Sequence, residues 1–185
     1  LKAVRKQLVQ LSKGLPAGTA VVSFEGTSMA CRLVIMGPPG TPFAYVPWVF
    51  DVFMGPDFPS EPPQLHYRSF VGQKMGPNLY PEGKVCLSLL GTWHAQEESE
   101  GWDPQHSTLL QLVVSLQGII MTELPFFMEA GYDRLQGKTH GQIKARQYNE
   151  MAVILALRSF AGLVQRPPAA LEALIRTHAK AVVPR

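Results

Sequence analysis

The 185-residue chain is 46% apolar and only 17% charged, which excludes a disordered tail and predicts one domain folding around its own core. Sixteen glycines and sixteen prolines, about 17% of the chain against a usual ~12%, exclude an all-helical bundle. The longest apolar run, Met151 to Leu157, has seven residues where a membrane helix needs about 20, so no membrane partner is expected. The net charge of +3 is unevenly spread, with +4 in residues 1–14, −8 in residues 15–133 and +7 in residues 134–185. The basic ends lack the interleaved aromatics of a base-reading surface, and nucleic acid is not an expected partner. Cys31 and Cys86 sit in no C-x-x-C or cysteine/histidine cluster, so neither a disulfide framework nor a zinc site has support. A reducing compartment, cytoplasmic or nuclear, is the expectation. The chain opens on Leu1 without an initiator Met or a signal-peptide pattern, which reads as a fragment of a longer protein.

In chain order, Leu1, Val4, Leu8 and Leu11 recur at helical spacing and Gly14 follows as a stop, predicting an amphipathic helix with Lys2, Arg5, Lys6 and Lys13 on its solvent side. Short β-rich runs over residues 19–25, 29–36, 46–54 and 64–68 are divided by brief Gly- and Pro-rich separators. Sequential strands with such connections pair as an antiparallel meander. Between Met75 and Trp102 periodicity disappears, and a stretch of that length inside a compact domain is usually functional or disordered. Asp103-Pro104 offers a helix cap and first-turn proline before Leu109, Leu112, Val113, Leu116, Ile119 and Ile120. Two further helices are predicted, one over residues 142–163 containing Met151, Ile154, Leu155 and Leu157, and one ending near His178. The expected fold is α+β: an N-terminal helix, a four-stranded antiparallel meander, an irregular segment, then C-terminal helices, all in one domain over residues 1–185.

The irregular segment carries Gly76-Pro77-Asn78-Leu79-Tyr80 and, directly after it, Gly83-Lys84-Val85-Cys86-Leu87-Ser88-Leu89-Leu90. An Asn followed eight residues later by a Cys, then Trp102-Asp103-Pro104 before a long helix, resembles the catalytic domain of ubiquitin-conjugating enzymes. Gly37-Pro38-Pro39-Gly40-Thr41-Pro42-Phe43, Phe50-Asp51-Val52 and Phe58-Pro59-Ser60-Glu61-Pro62-Pro63 match that family's signatures in order. Leu90-Gly91-Thr92-Trp93, Glu129-Ala130-Gly131-Tyr132 and Tyr148-Asn149-Glu150 are similar to the large members, most of all those that combine conjugating and ligase roles. Leu-Gly-Thr-Trp also occurs in a member that accepts a second ubiquitin-like modifier, so modifier identity stays open.

The resemblance implies that an activating enzyme hands the C-terminus of ubiquitin, or of a ubiquitin-like modifier, to Cys86, and that a substrate lysine takes it by aminolysis. Residue chemistry agrees, because a thiol is a competent nucleophile near neutral pH and its thioester stays reactive towards amines. A thiol hydrolase needs a positioned base, and the one nearby histidine in sequence, His94, has no evident orienting partner. The plain reading of Cys86 is a buried inert thiol, and that reading stands for Cys31. The alternative from another class is a non-catalytic binding module of the same fold, which the presence of Cys86 opposes. No metal or nucleotide cofactor is implied.

By the same resemblance Asn78 stabilises the oxyanion formed as lysine attacks; its plain reading is a turn residue bonding the local backbone, and the two are compatible. Gly76 stands where the family usually has His, and Ser88 where an acidic residue is common. An acidic or small polar residue near the end of the helix after Trp102 helps deprotonate the lysine. Glu123 is the candidate, Thr122 and Glu129 are rivals, and a solvated surface carboxylate is the plain alternative. Members served by RING-type ligases often carry an aromatic residue and a small one where this chain has Ser60 and Gln105, so ordinary ligase docking is expected to be weak. Residues 95–103 form an insertion holding Glu97, Glu98, Glu100 and Asp103, either a solvated loop or an attractor of basic substrates. The basic face of the first helix is the expected dock for the activating enzyme.

Overall fold

The computed structural model describes residues 1–93 and 100–182. Helix α1 (Lys2–Gly14) leads into strands β1 (Thr19–Ser23), β2 (Ala30–Met36), β3 (Pro47–Phe53) and β4 (Gln64–Tyr67). They pair antiparallel in the order β1-β2-β3-β4, the meander expected from the short separators. The register sets Leu33 opposite Phe50 and Cys31 opposite Val52. Because side chains alternate along a strand, one sheet face carries Cys31, Leu33, Ile35, Trp48, Phe50 and Val52, all at most 1% exposed. On the opposite face Arg32 and Asp51 form a two-pronged ion pair, Nε to Oδ1 at 2.5 Å and Nη2 to Oδ2 at 2.9 Å. Gly37 begins the β2–β3 connection because no larger residue fits: a Cβ there would fall 1.8 Å from the Phe43 carbonyl oxygen, which also accepts the Trp48 indole N–H at 3.1 Å.

Helix α2 (Leu109–Ser115) runs on into a π-helical turn over Leu116–Ile120 and lies in the main core with Leu109, Leu112, Val113, Leu116 and Ile120 buried. Its cap is not the expected Asp103-Pro104. Thr108 accepts the Gln111 N–H while the Gln111 side chain accepts the Thr108 N–H, a reciprocal capping box. Asp103 is occupied in a turn of its own, where Oδ1 receives the N–H groups of Gln105 and His106. Gln7 of α1 adds a long-range clamp, donating to Ser107 O at 3.1 Å and accepting from Leu109 N at 3.0 Å. The wider π turn shifts the helical phase, which leaves Ile119 half exposed although Ile120 is buried.

The third helix, α3 (Thr139–Gln165), is longer than predicted, and α4 (Glu172–Val182) runs past His178. Of the apolar α3 residues singled out from sequence, Leu155 is buried whereas Met151, Ile154 and Leu157 are 48–59% exposed. The end of α3 and α4 cover the second sheet face, packing Leu163, Leu171 and Ile175 on Val34 and Val49. The architecture is therefore α+β as expected, with helices on both sides of the sheet. Among the described residues no helix is long and apolar enough to cross a membrane.

Candidate functional site

The segment between β4 and α2 lacks periodicity but not order. Leu79 pairs antiparallel with Val85, and the turn between them closes through Gly83 N to Tyr80 O and Tyr80 N to Lys84 O, both at 3.0 Å. Gly83 is required at that turn. Its φ of +99° belongs to the left-handed side of the map, and an added Cβ would lie 1.9 Å from Cε1 of His66. The Gly83 carbonyl accepts Tyr67 N at 2.8 Å, anchoring the hairpin to edge strand β4.

This hairpin sets Asn78 across from Cys86. Cys86 N–H donates to the Asn78 carbonyl at 2.9 Å, and Asn78 Nδ2 donates back to the Cys86 carbonyl at 2.9 Å. Asn78 is 5% exposed and Cys86 2%. An amide nitrogen carries two hydrogens, so one bond to Cys86 leaves a second N–H for another acceptor. Asn78 thus holds the local backbone, its plain reading, and retains the donor that the family role needs. Gly76 has room for a side chain, since an added Cβ would meet only Phe43 Cζ at an ordinary 3.7 Å.

Thr92 makes contacts that its place in Leu90-Gly91-Thr92-Trp93 did not foretell. Its Oγ1 accepts Leu87 N–H at 3.0 Å and donates to the Val85 carbonyl at 2.6 Å. Gly91, at φ +66°, ends the short helical turn Ser88–Leu90 and turns the chain so that Thr92, itself exposed, bonds back to the Val85–Leu87 segment. Cys31 is remote in role as well as in sequence: burial in the sheet, reinforced by Asp51, pushes its thiol up to about 11, so it stays protonated and unreactive.

The acidic candidates separate. Glu129 lies 3.3 Å from Lys74 Nζ, and that ammonium sits 4.4 Å from the centre of the Tyr80 ring, on the turn of the Cys86 hairpin. Glu123 and Thr122 instead line a cleft of about 440 Å³ with Pro38, Pro39 and Gln136, and the Glu123 carbonyl accepts Asn149 Nδ2 at 2.7 Å. Ser60 and Gln105 are exposed on loops tied together by Trp102, whose indole donates to Pro59 O at 2.8 Å. Lys2, Arg5, Lys6 and Lys13 are all exposed on α1 and fall within about 100° of helical arc. In the acidic insertion, Glu97 and Glu98 lie outside the described residues. Asp103 bonds His106 Nδ1 at 2.6 Å, and that contact holds its carboxyl below the usual range.

The comparisons with known proteins bear on the whole arrangement. A sequence model of the family described as ubiquitin-conjugating enzyme matches residues 3–149, which include both Asn78 and Cys86. The chain is 41% identical over 167 residues to "Probable ubiquitin-conjugating enzyme E2 25" of Arabidopsis thaliana, covering 90% of this chain and 27% of that protein. It is 42% identical over 168 residues to "Probable ubiquitin-conjugating enzyme E2 23" of the same plant, covering 91% of this chain and 15% of the relative. Identity to the human "Dual E2 ubiquitin-conjugating enzyme/E3 ubiquitin-protein ligase BIRC6" is 38% over 154 residues, 80% of this chain and 3% of that protein. The chain spans about a quarter or less of each of these relatives. With the helix–meander–helix architecture and the matched stretch spanning the Asn78–Cys86 hairpin, the chain belongs to the ubiquitin-conjugating enzyme family.

Proposed function

We propose that this domain carries ubiquitin, or a ubiquitin-like modifier, as a thioester on Cys86 and passes it to a substrate lysine by aminolysis. The observation that carries this reading is the reciprocal bonding of Asn78 and Cys86, which keeps an amide donor beside the reacting residue. In loading, the Cys86 thiolate attacks the activated C-terminal carbonyl, and the activating enzyme's sulfur leaves. In discharge, the lysine amine attacks the thioester carbonyl, the second N–H of Asn78 stabilises the oxyanion, and the Cys86 thiolate departs as the amide forms. Glu123 is proposed to accept the lysine's proton; Glu129 is already paired with Lys74.

The basic face of α1 is proposed to dock the activating enzyme, and a cytoplasmic or nuclear site of action goes with that pathway. Transfer without a separate ligase is part of the same reading. Ser60 and Gln105 are both exposed on loops joined by the hydrogen bond from Trp102 to Pro59. Relatives with 38% identity include one named as a dual conjugating enzyme and ligase, while those at 41–42% are named as conjugating enzymes alone. Glu97, Glu98, Glu100 and Asp103 are proposed to favour basic substrates, an effect kept local by screening over about 8 Å. A longer parent protein with further domains is consistent with the size of the relatives. The test is a charging panel in which the domain meets ATP and ubiquitin, or another modifier, with the matching activating enzyme. A thiol-reducible adduct with at least one modifier is expected; none with any of them would leave a binding module of the same fold.

A further inference from the structure

We infer that Thr92 is a positioning residue for the transfer step, acting through the backbone on both sides of Cys86. The inference rests on the thioester reading above and adds a residue to it. Four backbone polar groups surround the Cys86 Cα: Val85 C=O, Cys86 N–H, Cys86 C=O and Leu87 N–H. Asn78 satisfies the middle two, at 2.9 Å each. The hydroxyl of Thr92 satisfies the outer two, donating to Val85 O at 2.6 Å and accepting from Leu87 N at 3.0 Å. A single hydroxyl thus bridges the residues on either side of the cysteine while Asn78 holds it from the facing strand.

Both outer groups belong to buried residues, Val85 at 2% and Leu87 at 3% exposure, where an unpartnered polar group is costly. Removing the hydroxyl therefore favours rotation of the two peptide planes that flank Cys86, and with them the direction of Cα–Cβ–Sγ. Reaction rates fall steeply with sub-ångström misplacement of reacting atoms. Thr92 itself need touch neither modifier nor lysine. That predicts a loss in turnover at unchanged lysine dependence, the signature of positioning rather than binding.

The experiment compares Thr92→Val, which keeps the shape and loses the hydroxyl, with Thr92→Ser, which keeps the hydroxyl. Amide exchange at Leu87 is read in the uncharged proteins, and discharge to free lysine across a lysine series in the charged ones. In Thr92→Val the Leu87 amide is expected to exchange about fivefold faster, the factor for losing one net hydrogen bond. Discharge is expected to slow about tenfold at saturating lysine with KM unchanged, and Thr92→Ser should stay within about twofold of wild type in both. Thr92→Ala removes the same hydroxyl with a smaller side chain and serves where the valine variant folds poorly. An unaltered Leu87 amide overturns the clamp; a loosened amide with wild-type discharge overturns its part in transfer. If the wild-type domain takes no modifier at all, the thioester reading fails while the amide exchange still decides the clamp.

Discussion

Lys74 Nζ lies 3.3 Å from Glu129 Oε2 and over the face of Tyr80, so the connection between α2 and α3 is fastened to the turn that presents Cys86. Both partners are more than a third exposed, and such pairs contribute about 0–1 kcal/mol. Glu129→Gln is therefore expected to leave the unfolding midpoint nearly unchanged and discharge to lysine within about twofold. Glu123→Gln removes the proposed proton acceptor and should slow discharge by at least about tenfold. Single-turnover discharge of the two variants at equal charging decides between them; the reverse order would move the acceptor to Glu129.

Asn78 can be tested by a substitution of its own shape. Asn78→Asp keeps the size but offers a carboxylate where two donors stood, so it both repels the Cys86 carbonyl and destabilises the oxyanion. Asn78→Ala should discharge about 10²-fold slower than wild type, and Asn78→Asp slower still, although both accept modifier. Aminolysis rates equal to wild type in a folded Asn78→Ala protein would leave this residue a backbone brace alone.

Stability should fall on the alkaline side. Burial raises the Cys31 thiol from 9.0 to about 11 and the Tyr67 phenol from 10.0 to about 12. Both groups are acids that the fold keeps protonated, so their stabilising contribution is whole below the unfolded values. It declines as the unfolded chain loses those protons, between pH 9 and 11 for Cys31 and between pH 10 and 12 for Tyr67, with a limiting slope of about 1.4 kcal/mol per pH unit for each. Denaturant titrations from pH 7 to pH 11 should show a plateau followed by this decline. Cys31→Ala should lose the part that begins near pH 9, and an unchanged profile in that variant would contradict the assignment.

The charged face of α1 gives a salt-dependent expectation. Lys2, Arg5 and Lys6 are exposed while Val4 and Leu11 hold the helix in the core, so reversing the three charges to Glu should leave the fold intact. Charging by the activating enzyme should slow several-fold at low salt, and the deficit should shrink as ionic strength rises. A rate independent of these charges at every salt concentration would return the face to ordinary solvation.

What was legible in the chain follows from which forces are local. The brief separators between β-rich runs pointed to the meander, and the spacing of Val4, Leu8 and Leu11 to the inner side of α1, although Leu1, read with them, is exposed. Alternation along β3 does not track burial, because helices cover both sheet faces and Pro47, Trp48, Val49 and Phe50 are all buried. The helix cap shows the limit. Asp103-Pro104 carries a strong start signal, yet Thr108 with Gln111 three residues on is the cap, because Asp103 spends its oxygens on its own turn. Gln7 bonding across to Ser107 and Leu109 has no sequence signal at all, since the partners are about a hundred residues apart. Within α3 the run from Met151 to Leu157 is apolar throughout, and periodicity cannot choose which of Met151, Ile154, Leu155 and Leu157 faces inward. At the site, the Asn78–Cys86 spacing was visible, whereas the bonds from Thr92 arise only when the turn after Leu90 doubles back.

Locating the modifier on the protein decides whether Cys86 carries it. Wild type, Cys31→Ser and Cys86→Ser are each incubated with ATP, activating enzyme and ubiquitin, and the adduct is examined by non-reducing electrophoresis and peptide mass spectrometry. Wild type and Cys31→Ser should form an adduct that thiol reductant removes, mapped to Cys86, while Cys86→Ser gives a reductant-resistant oxyester or no adduct. A reducible adduct that persists in Cys86→Ser would place the thioester on a residue other than Cys86.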